Sequence, residues 1–452
     1  MLEYKRKRIS LTGSQSIALV FAGVILIGTF LLCLPFASRS GESCGVRTAL
    51  FTATSSTCVT GLVLADTWTQ WSGFGQVVLL CLIEIGGLGF MTVASTLIFA
   101  LKRKMNMGQR MLIAQSIGSD GVGDAARIQK RILIGCLSIE GVGALALFLR
   151  FLAVYRSPWT ALKLGVFHAV SAFCNAGFDI FGFEAPGCSM MLYGTDVVVV
   201  AVLSALIVLG GIGFLVWDEV MRIRSPKKWS VYTKLVLIST GTLILGGMAL
   251  FCLLEWNNPN TLGAMTVPQK LIAAFFQSVT TRTAGFAGID QGMLTDGGKA
   301  VTMVLMLIGG SSGSTAGGLK TVTFFVLMLF LWSRLTGKTT VSIFNRTIPE
   351  KQILNAVTIA GFMILLSFFG GTVICATSPA SFIDGLYESV SALATVGLTT
   401  GITPSLSVAA QLLIIVYMYF GRVGILTISL GFLQEKTAHN KIKYAETNLL
   451  IG

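Results

Sequence analysis

Four stretches of the sequence share one form: Thr52 to Leu62, His168 to Phe178, Gln277 to Phe286 and Glu388 to Leu398. Each has an aromatic residue before a polar one, then small and hydroxyl residues, then Gly followed by Leu or Phe. The chemistry open to such stretches is dehydration of a cation. Backbone carbonyls of an extended strand replace an ion's water shell, and four strands around one axis make a ring of oxygens. Gly61, Gly177, Gly285 and Gly397 suit that use, because a filter strand needs backbone angles that only Gly adopts at little cost. The candidate filter is therefore Cys58, Val59, Thr60 and Gly61; Cys174, Asn175, Ala176 and Gly177; Arg282, Thr283, Ala284 and Gly285; Ala394, Thr395, Val396 and Gly397. Their side chains differ, so the carbonyls must carry selectivity. The third stretch is one residue shorter between Gln277 and its glycine, which leaves the register of Arg282 open by one place.

Other residues belong to the same chemistry. His168 and Glu388 share a position nine before the glycine; bracing by hydrogen bonds to the strand behind is the reading favoured over tuning of an outer mouth. A second glycine feature follows each stretch, at Gly86 to Gly89, Gly210 to Gly213, Gly309-Gly310 and Gly421 to Gly424. For Gly86 to Gly89 and Gly210 to Gly213, close helix packing is the expected use. The run Gly309, Gly310, Ser311, Ser312, Gly313, Ser314, Thr315, Ala316, Gly317, Gly318, ending near Lys320, interrupts an apolar span and is a gate candidate, with a packing kink as the alternative. Arg422 lies in an apolar helix, where a charge must face water or a partner. It either stands in the pore against cation entry or pairs with Glu84 or Glu140, the carboxylates inside spans. Lys320 is placed to act with it.

The elements that must position these residues follow from composition. Of 452 residues 54% are hydrophobic and 12% are charged, which excludes a soluble multidomain enzyme. Eight spans are expected: Ser14 to Leu34, Phe74 to Leu101, Arg131 to Leu152, Asp196 to Trp217, Lys234 to Leu254, Lys299 to Trp332, Gln352 to Ala376 and Leu406 to Leu433. The first is read as a retained helix rather than a signal peptide, since it has full spanning length and no small-residue cleavage site follows. Most of the 33 Lys and Arg fall at the N-terminus, after the second, fourth and sixth spans, and in the C-terminal tail. Both termini are then cytoplasmic, and the semi-polar stretches enter from outside as re-entrant half-helices with their negative C-terminal ends at the membrane centre. The fold expected is an all-α polytopic membrane protein of four tandem helix, pore-loop, helix repeats around a pseudo-fourfold central pore, with eight transmembrane helices and four re-entrant half-helices. The repeats run over residues 1–110, 111–228, 229–348 and 349–452.

At this point the chain resembles the Trk/Ktr/HKT superfamily, and most closely its KtrB-type membrane subunits. The motifs that carry the resemblance are Thr60 to Leu62, Asn175 to Phe178, Arg282 to Phe286 and Val396 to Leu398, with the basic linkers between quarters. It implies a potassium-translocating subunit of the cell membrane, homodimeric, gated by a cytosolic nucleotide-binding ring of the KtrA type. In that family a Ser at the first filter glycine goes with sodium permeation; Gly61 stands here, so potassium is the favoured ion and sodium the alternative.

Other classes fit less well. A secondary transporter would show paired inverted repeats, whereas these four share one orientation. A pump would need a phosphate-binding loop, and GxxxxGK[ST] is absent. No catalytic constellation points to an enzyme. Nine cysteines lack metal-ligand spacing, and a buried apolar role is favoured over a bridge between Cys44 and Cys188. The net charge of +13 sorts to one membrane face, so orientation, lipid contact and a docking surface at Lys102 to Arg131 explain it without nucleic acid.

Overall fold

The computed structural model describes residues 13–89, 125–223 and 225–424. The basic N-terminal cluster, the linker from Lys102 to Asp124, the second span beyond Gly89 and the eighth beyond Gly424 lie outside the described residues.

Among the described residues, four helices are long and apolar enough to cross a membrane: α1 (Gly13–Cys33), α5 (Ala125–Tyr155), α9 (Val231–Glu255) and α13 (Glu350–Thr377). Each packs most heavily on a short helix that follows it. These are α2 (Val46–Thr57), α6 (Pro158–Phe173), α10 (Val267–Thr280) and α14 (Phe382–Leu393). Their starts are written in local chemistry. Ser157 and Ser381 accept from Thr160 N and Asp384 N, Thr266 and Gln269 form a capping box, and prolines occupy the first turn of α6 and α10. A one-turn helix, α3 (Thr67–Gln70), leads into α4 (Gly73–Leu88).

The sixth span is interrupted as expected, and the fourth, expected as one span, is broken as well. The fourth is two helices, α7 (Val197–Gly211) and α8 (Phe214–Arg222), bent by 97°. At the break Gly213 has φ 97°, a left-handed conformation open to Gly at no steric cost. α4 stops at Gly89 with φ 80°, and α15 (Val408–Val423) stops at Gly424 with φ 93°. The sixth span is α11 (Asp296–Leu307) and α12 (Thr321–Leu335), separated by the glycine-rich run. A hairpin of β1 (Ser342–Ile343) and β2 (Arg346–Thr347) follows α12.

The second helix of each quarter reaches the short helix of the next. α4 packs on α6, α7 on α10, α11 on α14, and α15 returns to α2. The circuit is therefore closed, and the core lies around these short helices, with Phe51, Phe173, Phe276 and Tyr387 fully buried.

Candidate ion pathway

Each short helix ends in the same turn. Val59, Asn175, Thr283 and Thr395 all take the left-handed conformation, at φ 57°, 57°, 64° and 51°. For the β-branched Val and Thr this is a genuine outlier, with a cost of order 1–3 kcal/mol. It persists because the turn is tied on both sides. Thr60 N donates to Ser55 O at 2.8 Å, Ala176 N to Ser171 O at 2.7 Å, and Val396 N to Ser391 O at 2.8 Å. In the third quarter Ala284 N donates to Thr280 O at 2.9 Å. The shared left-handed residue resolves the open register: Arg282 aligns with Cys58, Cys174 and Ala394, and the missing residue lies where Thr281 caps α10.

Hydroxyls on the short helices then hold the strands from behind. Ser55 Oγ accepts from Gly61 N at 3.1 Å and Ser391 Oγ from Gly397 N at 3.0 Å. Ser171 Oγ donates to Phe178 O and Thr280 Oγ1 to Phe286 O, both at 2.7 Å. His168 and Glu388 also brace, as favoured. His168 Nε2 is 3.4 Å from Ile180 N, and Glu388 accepts from Thr399 and, at 3.1 Å, from Thr403. Gln277 plays this part in the third quarter, with Gln291 Oε1 at 2.7 Å.

The four glycines meet in a ring. A Cβ built on Gly61 would lie 2.5 Å from Ala176 O, and one on Gly177 2.8 Å from Ala284 O. On Gly285 it would overlap Val396 O, and on Gly397 Thr60 O. Each glycine thus abuts the carbonyl just before the glycine of the next quarter. Among the described residues no hydrogen bond is donated to the carbonyls of Thr60, Ala176, Ala284 or Val396. On one side the ring opens into a cavity of about 400 Å³ that Asp66, Asp179 and Asp290 also line. There burial pushes the Asp179 carboxyl up to about 7, and the nearby Asp66 charge adds to this against bonds from Phe181 N–H and the Ser189 hydroxyl.

The second glycine feature divides into two uses. Gly86, Gly210 and Gly421 leave room for the last carbonyl of the short helix in the same quarter, at Thr57, Phe173 and Leu393. The third quarter departs: Gly309 instead lies against Gly317 of its own loop.

That loop is anchored on several sides. Ser311 N donates to Gly211 O at 2.9 Å, Thr315 N to Gly210 O at 3.2 Å, and Thr315 Oγ1 to Phe173 O at 3.1 Å. Phe214 N donates to Gly313 O at 2.8 Å and Tyr232 to Ser312 O at 3.0 Å. Arg422 donates to Thr315 O, to Gly86 O and, at 3.1 Å, to Gly87 O. Lys320 Nζ donates to Ala316 O at 2.7 Å. With Gly318, Met363 and Phe420, Lys320 and Arg422 line a second cavity of about 250 Å³. The alternative pairing of Arg422 with Glu84 or Glu140 is not what the structure shows. Those carboxylates flank Cys174 Sγ instead, at 3.5 and 3.8 Å. Arg282, expected along the path, turns its side chain to Gly309 O at 3.2 Å rather than to the cavity lined by Asp66, Asp179 and Asp290. Cys44 and Cys188 are both free.

Comparison with known proteins agrees with this geometry. The family profile described as TrkH, cation transport protein, matches residues 4–442. The potassium/sodium uptake protein NtpJ of Enterococcus hirae is 39% identical over 99% of both chains. The Ktr system potassium uptake protein B of Bacillus subtilis is 39% identical over 99% of this chain and 98% of its own, and that of Vibrio alginolyticus 38% over 96% and 94%. The crystal structure of the potassium transporter TrkH from Vibrio parahaemolyticus superposes with a TM-score of 0.70 at 18% identity, covering 95% of this chain and 86% of that one, which shows a shared fold. The chain belongs to the TrkH family of cation transport proteins.

Proposed function

We propose that this protein takes up potassium through a selective, gated transmembrane pore, as the ion-translocating subunit of a Ktr-like system. The observation that carries this reading is the ring of Thr60, Ala176, Ala284 and Val396 carbonyls, which accept from no donor among the described residues and are spaced by four glycines. Such oxygens replace a hydration shell, and the four short helices add the negative ends of their dipoles. The short helices are re-entrant half-helices, each quarter is a helix, pore-loop, helix repeat, and the ring is the pseudo-fourfold filter between an outer mouth and an inner cavity. Potassium occupies the filter.

The Gly309–Gly318 loop is the gate. Closed, its carbonyls at Thr315 and Ala316 hold Arg422 and Lys320 in the inner cavity, where their charges oppose a cation. Both termini face the cytoplasm, and the subunit works as a homodimer beneath which a cytosolic nucleotide-binding ring moves the loop. The Ktr system names of the Bacillus and Vibrio relatives support a multi-subunit assembly. A second reading, sodium permeation or coupling on the same fold, draws on the potassium/sodium name of the Enterococcus relative. Expression in cells lacking their own potassium uptake tests the proposal: growth at low external potassium supports it, and failure to grow with the protein present in the membrane opposes it.

A further inference from the structure

Arg282 is a cation in the protein interior, 7% exposed, and none of the described carboxylates pairs with it. One arm of its guanidinium is committed, with Nη2 donating to Gly309 O at 3.2 Å. The other is not: Nη1 is buried with no partner. Arg282 lines a small space of about 10 Å³ with Ile207, Val208, Gly211, Ile212 and Thr240. Thr240, 6% exposed, lines the same space, and its Oγ1 is also buried and unpartnered. Two unsatisfied polar atoms on residues that line one void are rare in a folded interior, where such groups are almost always paired.

The void has the size for one occupant. A cavity of about 10 Å³ holds a single water, which needs two or more polar partners to stay. We infer that one buried water bridges Arg282 Nη1 and Thr240 Oγ1, and that this makes Arg282 the positioning residue that couples the third filter strand to the glycine-rich loop. The geometry joins four elements. Arg282 is three residues before Gly285, its Nη2 holds the first residue of the loop, and the water ties it to α9 through Thr240. Gly211, in the wall of the void, accepts from Ser311 N of the same loop at 2.9 Å. Any outward movement of Gly309 therefore pulls on the filter through one rigid side chain. Arg suits this role and Lys does not, because only the planar fork reaches Gly309 O and the water together.

The inference rests on the loop being the gate, and its test separates the two claims. Potassium and sodium flux is measured in proteoliposomes, per amount of reconstituted protein, for wild type, Thr240→Val, Arg282→Lys, a deletion within Ser311 to Gly318, and the deletion combined with Thr240→Val. Thr240→Val is nearly isosteric and lies outside the filter, so it removes the water's partner without emptying the site. The expected result is basal potassium flux raised several-fold by Thr240→Val and by Arg282→Lys, with the ratio of potassium to sodium flux kept, and no further rise when Thr240→Val joins the deletion. A deletion that raises flux beside a silent Thr240→Val overturns the coupling alone; a deletion without effect overturns the gate and the coupling with it. Additive effects, or density for the region at high resolution with no water between Nη1 and Oγ1, also overturn the inference.

Discussion

The Cα of Gly397 is pressed so closely on the carbonyl of Thr60 that a Cβ there would overlap the oxygen and come within 2.9 Å of Gly61 Cα. This contact joins the last quarter of the chain to the first and closes the ring. Gly397→Ala is expected to abolish potassium flux, because the side chain meets backbone on two sides and φ is 93°. Gly401 is the control: its φ is 92° but a Cβ meets nothing within 4 Å, so Gly401→Ala should cost about 1–2 kcal/mol of stability and leave flux near wild type. Equal loss in both variants would mean that backbone angle, not ring closure, decides.

The hydroxyl behind the filter gives a milder probe. Ser391→Ala deprives Gly397 N of its 3.0 Å acceptor. An unmet buried donor costs about 1–3 kcal/mol, enough to let the strand relax. Discrimination between potassium and sodium should fall while protein yield is nearly kept; unchanged discrimination in competition uptake would show that Ser391 is not needed to hold the strand.

Deletion within Ser311 to Gly318 should raise flux in the absence of any regulatory subunit. Bonds to Gly210, Gly211 and Phe173 anchor the loop in place. Normal expression with unchanged flux would remove the loop from the gating role.

Arg422→Ala should also raise basal flux, about tenfold or more if bonds to a charged donor are worth roughly 1.5–3 kcal/mol each, because the Thr315 carbonyl loses its donor. Arg422→Lys should fall between, since an ammonium lacks the fork that spans Thr315 and Gly86. A drop in yield with unaltered flux per protein would make Arg422 a packing residue.

External pH should act through Asp179. Its carboxyl titrates at about 7, so it is neutral below and charged above that value. The outer cavity then carries one more negative charge at alkaline than at acid pH, and the external potassium concentration for half-maximal uptake should be lower above pH 7. Asp179→Asn should flatten this dependence.

The ring is readable in the sequence because four copies of one local pattern specify it, and local pattern is what sequence displays. The breaks at Gly89, Gly213 and Gly424 are less so, since a packing glycine and a left-handed glycine are the same letter; only the neighbouring carbonyls at Thr57, Phe173 and Leu393 tell Gly86, Gly210 and Gly421 apart from them. The strained Val59, Thr283 and Thr395 run against residue preference altogether and are held there by the tied turn. Partners of the buried charges are hidden for another reason. Arg422 and Arg282 donate to backbone carbonyls, which every residue owns, so no partner residue type marks them. Likewise Glu84, Glu140 and Cys174, whose ligand atoms lie within 4.8 Å of one another, come from three separate elements with no shared spacing.

Ion-replacement flux in proteoliposomes, for wild type and Gly61→Ser, tests the filter most directly. The carbonyl ring predicts that wild type passes potassium well in excess of sodium and that Gly61→Ser, which sets a side chain against Ala176 O, loses much of that preference. Equal potassium and sodium flux through the wild type would contradict it.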